Sequence, residues 1–124
     1  MPVFSSFAEL AAYLMVVIAR ADGQVHYLEE ETLLERMRQF TPAPGQAVEQ
    51  ANETCDSYPM AKVEDVMNAN EQLISAATYD ERLDLIQSLY SIINSDGRVE
   101  EEEMNTLRAI RAGLEQSEAP APSL

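Results

Sequence analysis

Apolar residues recur along the chain at intervals of three and four positions, which is the spacing of one face of an α-helix. The pattern is strongest between Phe7 and Ala21, where Met15 and Val16 also place apolar side chains between the periodic positions. A helix that is apolar nearly all round is typical of a buried position in a fold. We therefore expect this first helix to lie at the centre of the molecule.

Capping residues and helix breakers divide the rest of the chain. Ser6 with Glu9, and Thr78 with Glu81, have the spacing of capping boxes at helix starts. Prolines and Asp-Gly pairs mark the ends, because glycine adopts the left-handed conformation after a helix at low cost. Beyond the first helix, the predicted helices are Tyr27 to Phe40, Gly45 to Ser57, Val63 to Ala77, Tyr79 to Ile93 and Glu101 to Leu114.

No segment shows the alternation of a β-strand, so the sequence predicts an all-α fold. We expect one domain over residues 1–114, a compact bundle of about six to seven helices. Residues 115–124 contain two prolines and small side chains, and we expect them to be a disordered tail.

An internal repeat is the most informative feature of the sequence. The segment Ile18 to Val25 aligns with Ile92 to Val99, and the alignment continues at a constant offset to Glu29 with Glu103. Each copy consists of an apolar helix, the motif Asp-Gly-x-Val-x-x-x-Glu and a second helix. The repeat predicts two related helical hairpins at either end of a less regular middle.

Composition narrows the choice of partners. The chain carries 22 acidic and 8 basic residues, for a net charge of −14. Nucleic acid is therefore not expected as a partner, since phosphate binding needs a basic surface. A chain with this negative charge is expected to bind a metal cation or a basic protein surface.

The expected location is the cytoplasm. Cys55 is the single cysteine, so no internal disulfide can form, as is typical of intracellular proteins. The longest apolar run, Leu10 to Ala19, is too short to span a bilayer, and no basic residue precedes it as in a signal peptide.

The repeated motif matches the second half of a calcium-binding EF-hand loop, in which aspartate, glycine and a final glutamate stand at the same spacing. The first half does not match. The first ligand position falls on Ile18 and Ile92, and the third falls on Arg20 and Asn94. Neither copy is therefore expected to be a true EF-hand.

Two interpretations of the motif acids remain open. In the structural one, the glycines end helices and the acids lie near the next helix N-terminus, where the helix dipole favours them. In the functional one, the two hairpins pack about a pseudo-twofold axis, and Asp22, Glu29, Asp96 and Glu103 converge. Four close carboxylates repel one another unless a cation compensates them, and Ca²⁺ or Mg²⁺ prefers such oxygen ligands.

The same residues resemble the TerB-like family, which includes the tellurite-resistance TerB proteins and the N-terminal region of the DjlA co-chaperones. Ile18 to Val25 with Glu29 resembles the first Asp-Gly motif of the family, and Ser95 to Val99 with Glu103 resembles the second. The resemblance covers residues 7–114. It implies a compact helical bundle with the acids of both motifs grouped, and links to metal binding and to stress-response complexes at the membrane.

Other candidate sites have simpler explanations. His26 precedes Glu29 and Glu30 by one helical turn, and it is interpreted as a solvated residue at a helix start more readily than as a zinc ligand. Cys55 is interpreted as a small core residue. No nucleophile, phosphate loop or paired CxxC motif is present, so no enzymatic activity is expected.

Two functions thus compete. The first is a TerB-like accessory domain in stress response that binds Ca²⁺ or Mg²⁺ through Asp22, Glu29, Asp96 and Glu103. The second is a metal-independent interaction module whose acidic surface recruits a basic protein partner or a membrane-associated complex.

Overall fold

The computed structural model describes residues 1–21, 27–95 and 100–116, but not the side chains of residues 27–29 and Gln116. The described residues contain seven α-helices and no strand, which confirms the all-α prediction. The helices are α1 (Phe7–Ala19), α2 (Tyr27–Met37), α3 (Pro44–Ser57), α4 (Val63–Ala69), α5 (Glu71–Ala76), α6 (Tyr79–Asn94) and α7 (Glu101–Gln116).

The central position predicted for the first helix is confirmed. Helix α1 contacts α2, α3, α6 and α7, and all but three of its residues are buried. Met15 and Val16, which lie outside the main periodic row, are 0% and 2% exposed. The surrounding helices therefore bury α1 on nearly every side, which explains its lack of a polar face.

The two predicted hairpins form one core. Helix α1 contacts α2, and α6 contacts α7, while α1 with α6, α2 with α6 and α1 with α7 join the pairs. Between α2 and α6, Arg36 Nε donates a hydrogen bond of 2.9 Å to Ser88 Oγ. Helix α3 packs on α1 and α2, and α4 packs on α7. None of the described helices is both long and apolar enough to cross a membrane.

Both predicted caps are present. Ser6 Oγ accepts a hydrogen bond from Glu9 N at the start of α1, although the Glu9 carboxylate accepts from Ser5 N and not from Ser6 N. At the start of α6 the box is complete, because Thr78 Oγ1 accepts from Glu81 N and Glu81 Oε1 accepts from Thr78 N. The capping residues in the local sequence thus determine where α1 and α6 begin.

Replacing Thr78 by alanine is expected to lower the free energy of unfolding by about 1 kcal/mol, because the first turn of α6 loses its side-chain acceptor. Chemical denaturation measures the change. The matched control is Ser91→Ala, which removes a hydroxyl from the same helix where it bonds only the Gln87 carbonyl. This control is expected to stay within about 0.5 kcal/mol of the parent chain. Equal losses in the two variants would contradict a capping role.

Several helix ends differ from the prediction, α6 by the single residue Asn94. Helix α2 ends at Met37 and not at Phe40, since Phe40 N and Thr41 N both donate to the Met37 carbonyl in a tight turn. The turn places the Phe40 ring 6.3 Å from that of Phe7. Helix α1 ends at Ala19, and the predicted stop at Asp22-Gly23 lies outside the described residues.

Helix α7 continues to Gln116, two positions past the predicted end at Leu114. Glu115, placed by the sequence in the tail, forms an i,i+4 ion pair of 3.4 Å with Arg111. The other residues of the predicted tail, 117–124, lie outside the described part of the chain.

The single helix predicted from Val63 to Ala77 is wrong, because α4 and α5 are separated at Asn70. Asn70 adopts φ −112° and ψ 22° and is 2% exposed. Its side chain accepts a hydrogen bond from Phe4 N at 2.9 Å and donates to the carbonyls of Pro2 and Val66 at 3.1 and 2.8 Å. The break therefore lets one buried amide hold the N-terminal segment against the bundle.

Candidate metal site

Helices α1 and α6, which lead into the two Asp-Gly motifs, pack against each other. Asp22 and Asp96 themselves lie outside the described residues, as do Gly23, Gly97 and His26. Glu29 belongs to the first turn of α2, but its side chain is outside the described part. The convergence of the four predicted ligands therefore stays a prediction.

Glu103 is the predicted ligand whose side chain is described, and it is buried. It stands in the first turn of α7 with 2% of its surface exposed, whereas its neighbours Glu101 and Glu102 are exposed. Every other described acidic side chain is exposed or half-buried. Because burying an ionised carboxylate costs free energy, this position favours a nearby positive charge or strong hydrogen-bond donors.

The helix period explains why Glu103 is the buried residue among the four consecutive glutamates, residues 100–103. Glu103, Leu107, Ile110 and Leu114 follow one another at helical spacing, and all four are buried. Met104, the apolar residue next to Glu103, is only half-buried. The signal for a buried acid was thus present in the spacing from Leu107, Ile110 and Leu114.

Arg20, the cation at the third ligand position of the first motif, is directed towards α3. Its Nη1 forms an ion pair of 3.0 Å with Asp56, and its Nη2 donates a hydrogen bond of 2.6 Å to Asn52 Oδ1. The guanidinium therefore connects the end of α1 to α3. No local pattern predicts this pairing, because Asn52 and Asp56 follow Arg20 by 32 and 36 positions.

Cys55 packs against the core and is half-buried, as predicted for a small core residue. Burial raises the pKa of the Cys55 thiol, and so does the Asp56 charge, while Arg20 opposes them. A thiol with a raised pKa carries little thiolate at neutral pH, so the residue is a poor nucleophile and metal ligand.

Within the described ranges, no three histidine, cysteine, aspartate or glutamate side chains are grouped so as to hold a metal ion. This part of the chain includes the side chain of Glu103 but not those of Asp22, Glu29 and Asp96. Of the four predicted metal ligands, the structure therefore describes one carboxylate, that of Glu103, and it is buried.

The chain matches the family described as tellurite resistance protein TerB over residues 8–121. Comparisons with curated proteins and with solved structures give no significant match. The matched range includes both Asp-Gly motifs and, except for Phe7 at the start of α1, all seven described helices. The chain therefore belongs to the TerB family.

Proposed function

We propose that this TerB-family domain binds Ca²⁺ or Mg²⁺ through Asp22, Glu29, Asp96 and Glu103. The observation that supports the proposal is the burial of Glu103, the last acid of the second motif, in a chain whose other described acids reach solvent. A hard divalent cation offsets the cost of a buried carboxylate and accepts an all-oxygen donor set. The contact between α1 and α6 supports grouping of the two motifs.

The role of the ion is structural and regulatory, not catalytic. Each motif connects the two helices of one hairpin, so an ion held by both motifs joins the hairpins and adds its binding free energy to the folded state. We propose a non-enzymatic accessory domain that acts in a cytoplasmic stress-response complex and whose stability reports divalent-ion concentration.

Thermal unfolding in matched salts tests the proposal. For a site with a dissociation constant near ~0.1 mM, 1 mM Ca²⁺ is expected to add about 1.4 kcal/mol, beyond the effect of NaCl at equal ionic strength. The paired variant Asp22→Asn with Asp96→Asn removes two charges at nearly constant shape and is expected to abolish this increment. The control pair, Asp65→Asn with Asp80→Asn, removes two exposed acids outside the motifs and is expected to keep it.

Glu103→Gln provides a second comparison with a neighbouring control. It is expected to reduce the calcium increment to near zero, whereas Glu102→Gln, at an exposed position one residue away, is expected to leave it unchanged. Equal responses of the parent chain to Ca²⁺ and NaCl would contradict metal binding.

A metal-independent interaction module is the second candidate. It is favoured by the net charge of −14 and by the exposure of most of the described acidic side chains. Such a surface attracts a basic protein partner at a rate that falls with ionic strength. Equal calcium and sodium responses in the experiment above would favour this candidate.

A further inference from the structure

A groove runs along α3, on the side that faces the N-terminal segment. Two adjoining cavities of about 410 and about 260 Å³ share Glu9, Ala47 and Gln50, so they form one continuous depression, here called the α3 groove. It follows α3 from its beginning near Ala43 to its end near Tyr58. A helix of this length spans about 21 Å, so the groove is long enough for several turns of a second helix.

Alanines and polar side chains together line the α3 groove. Ala8, Ala43, Ala47 and Ala51 line it, so another backbone can approach closely. At one end Tyr58 is 41% exposed, and at the rim Val3 is 71% exposed. Exposed apolar side chains at the edge of a groove with both polar and small apolar side chains suit the binding of another protein.

The wall opposite α3 is held in place. Asn70 hydrogen-bonds Phe4 N and the Pro2 carbonyl, on either side of Val3, and the Phe4 ring lies 5.2 Å from that of Tyr13. Val3 is thus exposed, while hydrogen bonds from Asn70 hold the residues on both sides of it in place. A groove formed before binding reduces the entropy cost of association.

The charged side chains that line the α3 groove are all acidic. Glu9 stands on the α1 wall and Glu53 on the α3 wall, while none of the described residues that line the groove is lysine or arginine. A ligand that fits carries an apolar stripe with cations along both sides. A basic amphipathic helix has this arrangement, and grooves of this kind bind such helices through residues spaced by three and four.

We propose that the α3 groove binds a basic amphipathic helix of a protein partner, with apolar side chains over the four alanines and lysine or arginine against Glu9 and Glu53. This interaction does not involve the acids of the Asp-Gly motifs. It is independent of the proposed metal site and is tested in the presence of EDTA.

The test uses the full chain and a labelled synthetic peptide of about 18 residues, with leucine at helical spacing and lysine elsewhere. Fluorescence anisotropy at low salt is expected to give a dissociation constant of about 10–100 μM. A scrambled peptide of the same composition has the same charge but no apolar face. It is expected to bind at least about tenfold more weakly, since it gains only long-range attraction.

Variants locate the binding surface. Gln50→Trp fills the middle of the α3 groove and is expected to weaken binding at least about tenfold, whereas Gln72→Trp, at an exposed position on α5, is expected to leave it unchanged. Glu9→Gln with Glu53→Gln is expected to weaken binding several-fold more than Glu64→Gln with Glu71→Gln, which removes the same charge elsewhere. The glutamine at position 9 retains an acceptor for Ser5 N, so the start of α1 is preserved.

Circular dichroism confirms that each variant is folded. The proposal is overturned if the amphipathic peptide does not bind, if the scrambled peptide binds equally well, or if Gln50→Trp and Gln72→Trp behave alike. Loss of the calcium increment in the metal experiment leaves these outcomes unaffected, so the two proposals fail separately.

Discussion

Replacing Asn70 by alanine is expected to lower the free energy of unfolding by about 3 kcal/mol, the largest effect of any single polar substitution considered for this chain. The amide of Asn70 makes three hydrogen bonds, to Phe4 N and to the carbonyls of Pro2 and Val66. Alanine leaves the N-terminal backbone groups without these partners at a position that is 2% exposed. Unsatisfied buried groups cost more than the net value of the bonds they lose.

Urea denaturation measures this loss, and Asn68→Ala provides the matched control. Asn68 is an exposed residue of the neighbouring helix α4, and its replacement is expected to change the free energy of unfolding by less than about 0.5 kcal/mol. Amide hydrogen exchange at Phe4 is expected to rise in the Asn70 variant alone. A loss of less than about 1 kcal/mol would show that Asn70 does not anchor the N-terminal segment.

Replacing Gly113 by alanine is expected to lower the free energy of unfolding by about 2 kcal/mol. The added Cβ would lie 2.9 Å from Met67 Cβ and 2.9 Å from Met67 Cε. The far end of the methionine side chain can turn away, but its Cβ moves only if α4 and α7 separate. The better helix propensity of alanine, about 1 kcal/mol, compensates only part of this cost.

Gly45→Ala is the control for this substitution. Gly45 is also a helical glycine, in the first turn of α3, but an added Cβ there meets nothing within 4 Å. The control is expected to raise the free energy of unfolding by up to about 1 kcal/mol. Opposite signs for the two glycines, measured by thermal unfolding, would show close α4–α7 packing at Gly113. A stabilising Gly113→Ala would contradict it.

Local signals in the sequence predicted the helices well. The start of α6 depends on Thr78 and Glu81, which are three residues apart, so the cap is visible in any short window. Burial of α1 was equally visible, because its apolar residues cover all sides. Features of this kind need no knowledge of the rest of the fold.

The break at Asn70 was missed because its cause is not local. The partners of the Asn70 side chain include Phe4 and Pro2, which precede it by 66 and 68 positions. The apolar period continues across the break from Val66 to Ile74, and it therefore predicts one helix. Only the folded arrangement shows that a buried backbone segment requires an amide at this position.

For the candidate metal site, the sequence identified residues but not their burial or their spatial arrangement. The repeat identified Glu103 as a candidate ligand, but its place near a helix N-terminus was explained equally well by the helix dipole. Its burial follows from its place in the row of Leu107 and Ile110, which is a property of helix packing. Whether Asp22 and Asp96 approach Glu103 depends on how the two hairpins pack, which no spacing along the sequence specifies.

The burial of α1 has a consequence for synthesis of the protein. Helix α1 precedes α6 and α7 along the chain, so it leaves the ribosome before these two helices, which help to cover it in the fold. Until they emerge, a nascent chain presents Leu10, Leu14 and Ile18 without their final partners. Because exposed apolar surface of this kind promotes aggregation, we expect the contacts of α2 and α3 with α1 to limit this exposure until α6 and α7 emerge.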